Sequence, residues 1–327
     1  MDHCSRNLRQ VAIAGVVSIV STAALAQSTY PSRPIRYIVP YPPGGSTDPM
    51  ARMISGKLTE RLGQQVIVDN RPGGNTIIGT DVAAKSPADG YTIFWAGPAL
   101  YCAPSLFAKL PYDVLNDFTG VATLGKIHSV LVVHPSVPVH TVKELIALAK
   151  SKPGLLNYAH SGAGTNLHIS GELFNLMAGT KIQAIPYKGS GPLLTDLLGG
   201  RVDLSFQIPI SVISQINSGK LRAIAVTGNN RLRALPKVAT FAEVGVAEYG
   251  LTGVTAIAAP AKTPQSALEK LAAEIAAILA MPDTIEYFTK QGGEPFTSTA
   301  AEATSVIRDQ VARYSKIIKE AGIKFEP

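Results

Sequence analysis

From residue 35 onward, short apolar or β-branched runs alternate with stretches whose apolar residues recur every three or four positions. That alternation predicts an α/β fold built on parallel strands. The predicted strands are residues 35–40, 65–69, 92–95, 129–133, 156–159, 183–186, 204–207 and 222–226. Between the first two, Met50, Ile54 and Leu58 share one face of a helix over 49–62 that Gly63 ends, because glycine takes the left-handed turn at a helix terminus without steric cost. Thr141 and Glu144 spell a capping box in front of a helix over 142–150. Leu173, Leu176 and Met177 mark the apolar side of a helix over 167–177. Thr263 followed by Pro264 predicts a cap and a first-turn proline, opening a helix whose stripe is Leu268, Leu271, Ile275, Ile278 and Leu279. A last helix, 300–321, carries Ile307, Val311, Tyr314 and Ile318 on one face.

One apolar segment belongs to none of these elements. Residues 11–26 are uncharged, follow Arg6 and Arg9, and end on Ala24-Leu25-Ala26 before Gln27. A basic start, a short apolar stretch and small residues at a cleavage site define a secretory signal peptide, and the run is shorter than the ~20 residues that a spanning helix needs. Cleavage after Ala26 removes Cys4 and leaves Cys102 with no internal disulfide partner, which export permits and does not require.

Composition then narrows the class. The 327 residues are 46% hydrophobic and 16% charged, which excludes a disordered chain and allows a large core. At roughly 150 residues per domain the chain holds about two domains. The net charge of +7 comes from basic residues scattered singly, without the cluster that a nucleic-acid surface needs, so no nucleic-acid partner is expected.

One pattern recurs in the two halves. Tyr37-Ile-Val-Pro-Tyr-Pro-Pro-Gly-Gly-Ser-Thr-Asp48 and Leu156-Asn-Tyr-Ala-His-Ser-Gly-Ala-Gly-Thr-Asn-Leu-His168 each run from a strand through a glycine-rich loop into a helix start. The first N–H groups of a helix lack intrahelical partners and sit at the positive end of its dipole, so such a terminus cradles anions. Gly44 and Gly45 permit the turn, while Ser46 or Thr47 either caps the helix or offers a hydroxyl to a ligand. Gly162, Gly164, Thr165 and Asn166 allow the same two readings. Two such loops on two lobes would hold opposite ends of one small anion.

Other chemistry finds little support. Neither loop spells a nucleotide-binding motif, and His128, His134, His140, His160 and His168 lack metal-ligand spacing, so no cofactor or metal is predicted. Ser190, in Lys188-Gly-Ser-Gly-Pro192, lacks the spacing of a nucleophile elbow and reads as a loop or ligand contact. Cys102 has no basic neighbour and reads as a buried thiol. The single tryptophan, Trp95, ends a predicted strand, where ligands of open α/β sheets sit, and it either stacks on an aromatic ligand or fills the core.

Several strings in order carry a family resemblance: Pro-Tyr-Pro-Pro-Gly-Gly-Ser-Thr-Asp-Pro at 40–49, Val-Asp-Asn-Arg-Pro-Gly-Gly at 68–74, Ala-Asp-Gly-Tyr-Thr at 88–92, Asn-Asp-Phe at 116–118, His-Pro-Ser-Val-Pro at 134–138, Ser-Gly-Ala-Gly-Thr-Asn-Leu-His at 161–168, Pro-Tyr-Lys-Gly-Ser-Gly-Pro at 186–192 and Arg-Ala-Ile-Ala-Val-Thr at 222–227. Together they resemble the exported substrate-binding receptors of the tripartite tricarboxylate transporters, the Bug family, over essentially all of the chain after the leader. The sequence departs from the family pattern at Gly74-Asn75-Thr76, where a Gly-Ala-Gly-Gly run is usual, and at Gln207, where many relatives have Asp.

The resemblance implies a two-lobed α/β fold of the periplasmic-binding-protein (Venus flytrap) type. Residues 27–130 and 255–327 would form one lobe and 131–254 the other, joined by two crossing strands near 130–134 and 252–258. It implies a monomeric periplasmic receptor, not an enzyme and without a cofactor. Such a receptor captures a small organic carboxylate and passes it to a membrane transporter of one large and one small subunit. Carried over by position, the ligand contacts are Tyr41, Gly44, Gly45, Ser46, Thr47 and Asp48 in the first loop and Ser161, Gly164, Thr165, Asn166 and His168 in the second, with Trp95, Ser190 and Gln207 beside them. A neutral Gln207 suits a ligand without a cationic amine. The expected ligand is therefore a dicarboxylate, aromatic such as terephthalate or aliphatic, or a citrate-like acid. The alternatives are an amino-acid or nicotinate receptor of the same fold and a secreted hydrolase using Ser190 or His168.

Overall fold

The computed structural model describes residues 30–45, 47–228, 230–246 and 253–323. The leader with its cleavage site after Ala26, and Ser46, lie outside the described residues. From Arg33 onward the chain forms one body. It opens with β1 (Ile35–Val39), α1 (Asp48–Leu62), β2 (Val66–Asn70), α2 (Ile77–Ala84), β3 (Thr92–Ala96), α3 (Pro98–Leu106) and β4 (Phe118–Ile127). There follow β5 (Val130–Val133), α4 (Val142–Ser151), β6 (Asn157–His160), α5 (Asn166–Ala178), β7 (Gln183–Pro186), α6 (Ser190–Leu198), β8 (Leu204–Gln207), α7 (Pro209–Asn217) and β9 (Arg222–Val226). The chain ends with β10 (Gly253–Pro260), α8 (Gln265–Leu279), α9 (Pro282–Lys290), β11 (Gly293–Pro295) and α10 (Ala300–Glu320).

These strands build two sheets, ordered β11-β4-β10-β3-β1-β2 and β7-β6-β8-β5-β9. β1 is parallel to β2 and β3, and β6 is parallel to β7 and β8. The parallel expectation fails where the chain changes sheets: β10 is antiparallel to β3 and β4, and β5 is antiparallel to β8 and β9. A chain that leaves a sheet and later returns beside its exit must come back in the opposite direction. The first passage is His128 and Ser129, just ahead of β5, and the return lies between Val226 and Gly253. Residues 130–133 therefore lie wholly in the second sheet and 253–258 wholly in the first.

Local signals explain most element ends. Gly63 adopts φ 67° and returns its N–H to Thr59 O. Thr141 accepts the Glu144 N–H, while Glu144 takes the N–H of His140. The Thr263 cap is not made: Pro264 holds the cap position and the Thr263 hydroxyl is buried without a partner among the described residues. The stripe on α5 is narrower than expected, since Leu176 is exposed.

The C-terminal helices complete the first lobe by burial. Leu268, Leu271, Ile275 and Ile278 of α8 are buried, each contributing about 1.5–3 kcal/mol. The Arg61–Glu274 pair between α1 and α8 is partly exposed and adds at most about 1 kcal/mol. α10 lies against β4 so closely that a Cβ on Gly120 would fall 2.4 Å from Thr304 N and 2.5 Å from the Ala303 carbonyl carbon. Gly120→Ala should therefore force α10 off the sheet and lower the unfolding free energy by about 1–3 kcal/mol, read from urea denaturation.

Candidate functional site

In a parallel sheet every strand-to-helix turn emerges at the same edge. In the first sheet the turns after β1, β2 and β3 lead into α1, α2 and α3, and in the second the turns after β6, β7 and β8 lead into α5, α6 and α7. Strand directions place the exit of β4, the start of β5, the end of β9 and the start of β10 at those same two edges. The two edges are thus tied together by both passages and face one cleft. Six helix N-termini open at these edges, each the positive end of its helix dipole.

The first loop is shaped by a carboxylate of its own. Asp48 is buried at the start of α1, and its Oδ2 accepts the Gly44 N–H at 3.0 Å and Arg52 Nε at 2.9 Å. Asn70 Nδ2 donates to Oδ1 at 3.1 Å and also to Tyr41 O, so one side chain ties the strand end to the loop. Burial opposes ionisation of Asp48, but the bonds from Arg52, Gly44 and Asn70 outweigh it and hold the carboxyl below its usual range. Asp48 therefore holds the turn and has no oxygen free of these bonds. Gly44 takes φ 75°, a conformation open to glycine. Gly45 N–H reaches Pro42 O at 3.3 Å. Thr47 occupies the cap position without a side-chain cap bond, and among the described residues its N–H carries no hydrogen bond. Tyr41 is half-buried with its hydroxyl end turned inward, which raises its pKa.

The second loop rests on two histidines stacked with ring centroids 4.3 Å apart. His160 Nδ1 lies 3.0 Å from Gly162 O and 3.3 Å from Gly162 N, whereas His168 Nδ1 accepts the Gly164 N–H at 3.2 Å. The acceptor role at Nδ1 requires a neutral His168, and burial lowers the pKa of His160 as well. Burial, reinforced by His160, pushes His168 down to about 3. Thr165 caps α5 by accepting the His168 N–H. The N–H groups of Ser161 and Ala163 carry no hydrogen bond among the described residues. Asn166 donates to Ser129 Oγ at 2.9 Å, and its buried Oδ1 has no partner among the described residues.

The remaining expected contacts divide. Ser190 is the half-buried first residue of α6, at the same edge as the second loop. Gln207, at the end of β8, is 2% exposed and its amide groups bond Ser205 and Ser211. Trp95 is 4% exposed, on the face of β3 opposite Phe94. That burial fits packing better than stacking on a ligand. Among the described residues no group of His, Cys, Asp or Glu is arranged to hold a metal. Sequence reasoning missed Ser129, which bonds Asn166 from the passage between the sheets, and Asn75, whose Nδ2 donates to Ala163 O at 2.8 Å across the cleft.

Two lobes whose sheet edges and helix N-termini face one cleft define a periplasmic binding protein. Residues 50–323 match the tripartite tricarboxylate transporter family receptor, and the chain belongs to that family. It is 39% identical over 318 residues to Protein BugT of Bordetella pertussis, covering 97% of this chain and 96% of that one. Among solved structures it is similar to R. palustris Rpa4515 with adipate, at 34% identity and a TM-score of 0.83 over 90% of this chain and 100% of that one. It is also similar to the periplasmic binding protein BugD, at 31% identity and a TM-score of 0.80 over 90% and 100%. These relatives are binding receptors, not enzymes.

The neutral His168 makes the second loop acid-sensitive. Its folded pKa of about 3 lies below the ordinary 6.5, so its contribution to stability is complete above pH 6.5 and is lost as pH falls from 6.5 toward 3. Denaturation midpoints measured between pH 4 and 8 should fall on acidification, and His168→Asn, which keeps an acceptor that does not titrate, should flatten that slope.

Proposed function

We propose that this protein captures a small organic dicarboxylate, aliphatic or aromatic, or a citrate-like acid, in the interlobe cleft and delivers it to the large and small membrane subunits of a tripartite tricarboxylate-type transporter. It acts as a monomer in the periplasm after cleavage at Ala26. The observation that carries this reading is the convergence of six helix N-termini on the two facing edges. That field favours negative charge at both ends of the cleft, and free backbone N–H groups on each side suit carboxylate oxygens. The first carboxylate would take the N–H group of Thr47, and the second those of Ser161 and Ala163, with Thr165, Asn166 and Ser190 around it. Gln207 offers no negative charge to a ligand amine, which disfavours an amino acid. The adipate held by the R. palustris relative supports the ligand class.

Opening and closing would be a hinge motion at His128 and Ser129, with the ligand favouring the closed form only through contacts made there. Thr47→Pro tests the first loop, because Thr47 already has φ −82° and proline fits that backbone while removing the N–H, with Thr47→Val, which loses the hydroxyl and keeps the N–H, as the control. Calorimetry should show affinity for the bound diacid falling by about 10- to 100-fold with an unchanged circular dichroism spectrum. A thermal-shift series over aliphatic diacids, terephthalate, citrate, amino acids and nicotinate should stabilise the wild-type protein with diacids or citrate. Unaltered affinity in Thr47→Pro would remove the first loop from the site.

A further inference from the structure

Asn75 stands in the turn after β2 with φ 53°, and Thr76 follows with φ 77°. Two successive non-glycine residues in the left-handed region are uncommon, and a β-branched one there is a genuine outlier. The surrounding fold must hold them. What this conformation accomplishes is a reach across the cleft: Asn75 Nδ2 donates to Ala163 O at 2.8 Å. The amide lies alongside two glycines of the second loop, at ordinary contact distance. A Cβ on Gly162 would lie 3.7 Å from Asn75 Oδ1, and one on Gly164 would lie 3.9 Å from Nδ2. Beside the bond, Leu106 and Cys102 of α3 press on Gly164, where a Cβ would fall 2.8 Å from Leu106 Cδ1. The amide therefore bonds a backbone carbonyl at a half-buried position, partly shielded from water.

We propose that Asn75 is a cross-cleft latch, a positioning residue that favours the closed arrangement of the lobes through its bond to the second loop and so strengthens every ligand by one common factor. This rests on the cleft being the ligand site. Donor and acceptor are both uncharged and belong to the protein, and the carbonyl of Ala163 is not a group that would hold a carboxylate. The bond stabilises the closed lobes whatever lies between them. Apparent affinity scales with the fraction of molecules in the binding-competent form, so a contact of this kind multiplies all affinities equally, whereas a residue touching the ligand changes their ratios.

Asn75→Gly is the informative substitution, since glycine accepts φ 53° without strain and removes only the amide. Two readings are taken on the full mature chain. Small-angle scattering without added ligand should show a larger radius of gyration in the variant than in the wild type. Calorimetry with adipate, terephthalate and citrate should show affinity reduced by one shared factor of about 2- to 12-fold for each acid that the wild type binds, the range of a single net hydrogen bond. The unfolding midpoint should stay level or rise. Unchanged scattering overturns the latch, as does a loss that differs between acids, which would make Asn75 a ligand contact. If the wild type binds none of the three acids, the ligand class proposed above fails, and scattering alone still decides the latch.

Discussion

A parallel strand followed by a right-handed helix aims that helix's N-terminus at the carboxyl edge of its sheet, and this protein repeats the arrangement three times in each lobe. Everything in the cleft depends on that geometry. It gathers unsatisfied N–H groups and dipole ends at two facing edges. The antiparallel strands β4, β5, β9 and β10 then carry the chain between the lobes at those same edges, so the passages and the candidate site share one boundary.

Free N–H groups alone do not define a cradle, because a loop can consume them. Both loops spend some donors on their own shape and keep others. In the first, the buried Asp48 carboxylate takes the Gly44 N–H and is balanced by Arg52, which leaves Thr47 open. In the second, neutral His168 takes the Gly164 N–H, which leaves Ser161 and Ala163. Each loop thus has an internal acceptor fixing the turn, a carboxylate in one lobe and an imidazole in the other. Only the imidazole titrates near neutral pH in its free form, so acid acts on the second lobe first.

Much of the fold was legible in the sequence. The alternation of apolar runs gave eight strands within about a residue of their ends, and the glycine-rich repeats pointed to both loops. What escaped had physical reasons. β4 is buried on both faces, so it has no two-residue alternation to read. α2, α3, α6, α7 and α9 span only eight or nine residues, too few turns for a clear stripe. In the site, Thr47 and Asp48 were both expected as ligand contacts, yet Asp48 is tied to Gly44 and Arg52, four positions away on either side, and to Asn70, 22 positions away. Asn75 was visible as an unusual residue in its string, but its partner Ala163 lies 88 positions away, and no local pattern joins the two.

The central claim is that neutral backbone N–H groups at opposed helix ends hold the ligand's charge. A crystal structure of the protein with its tightest-binding dicarboxylate tests this most directly. The account predicts one carboxylate within hydrogen-bond distance of the Thr47 N–H and the other within reach of the Ser161 or Ala163 N–H, with no lysine or arginine side chain on either. A ligand seated outside the cleft, or a carboxylate paired with a basic side chain in place of these amides, would contradict it.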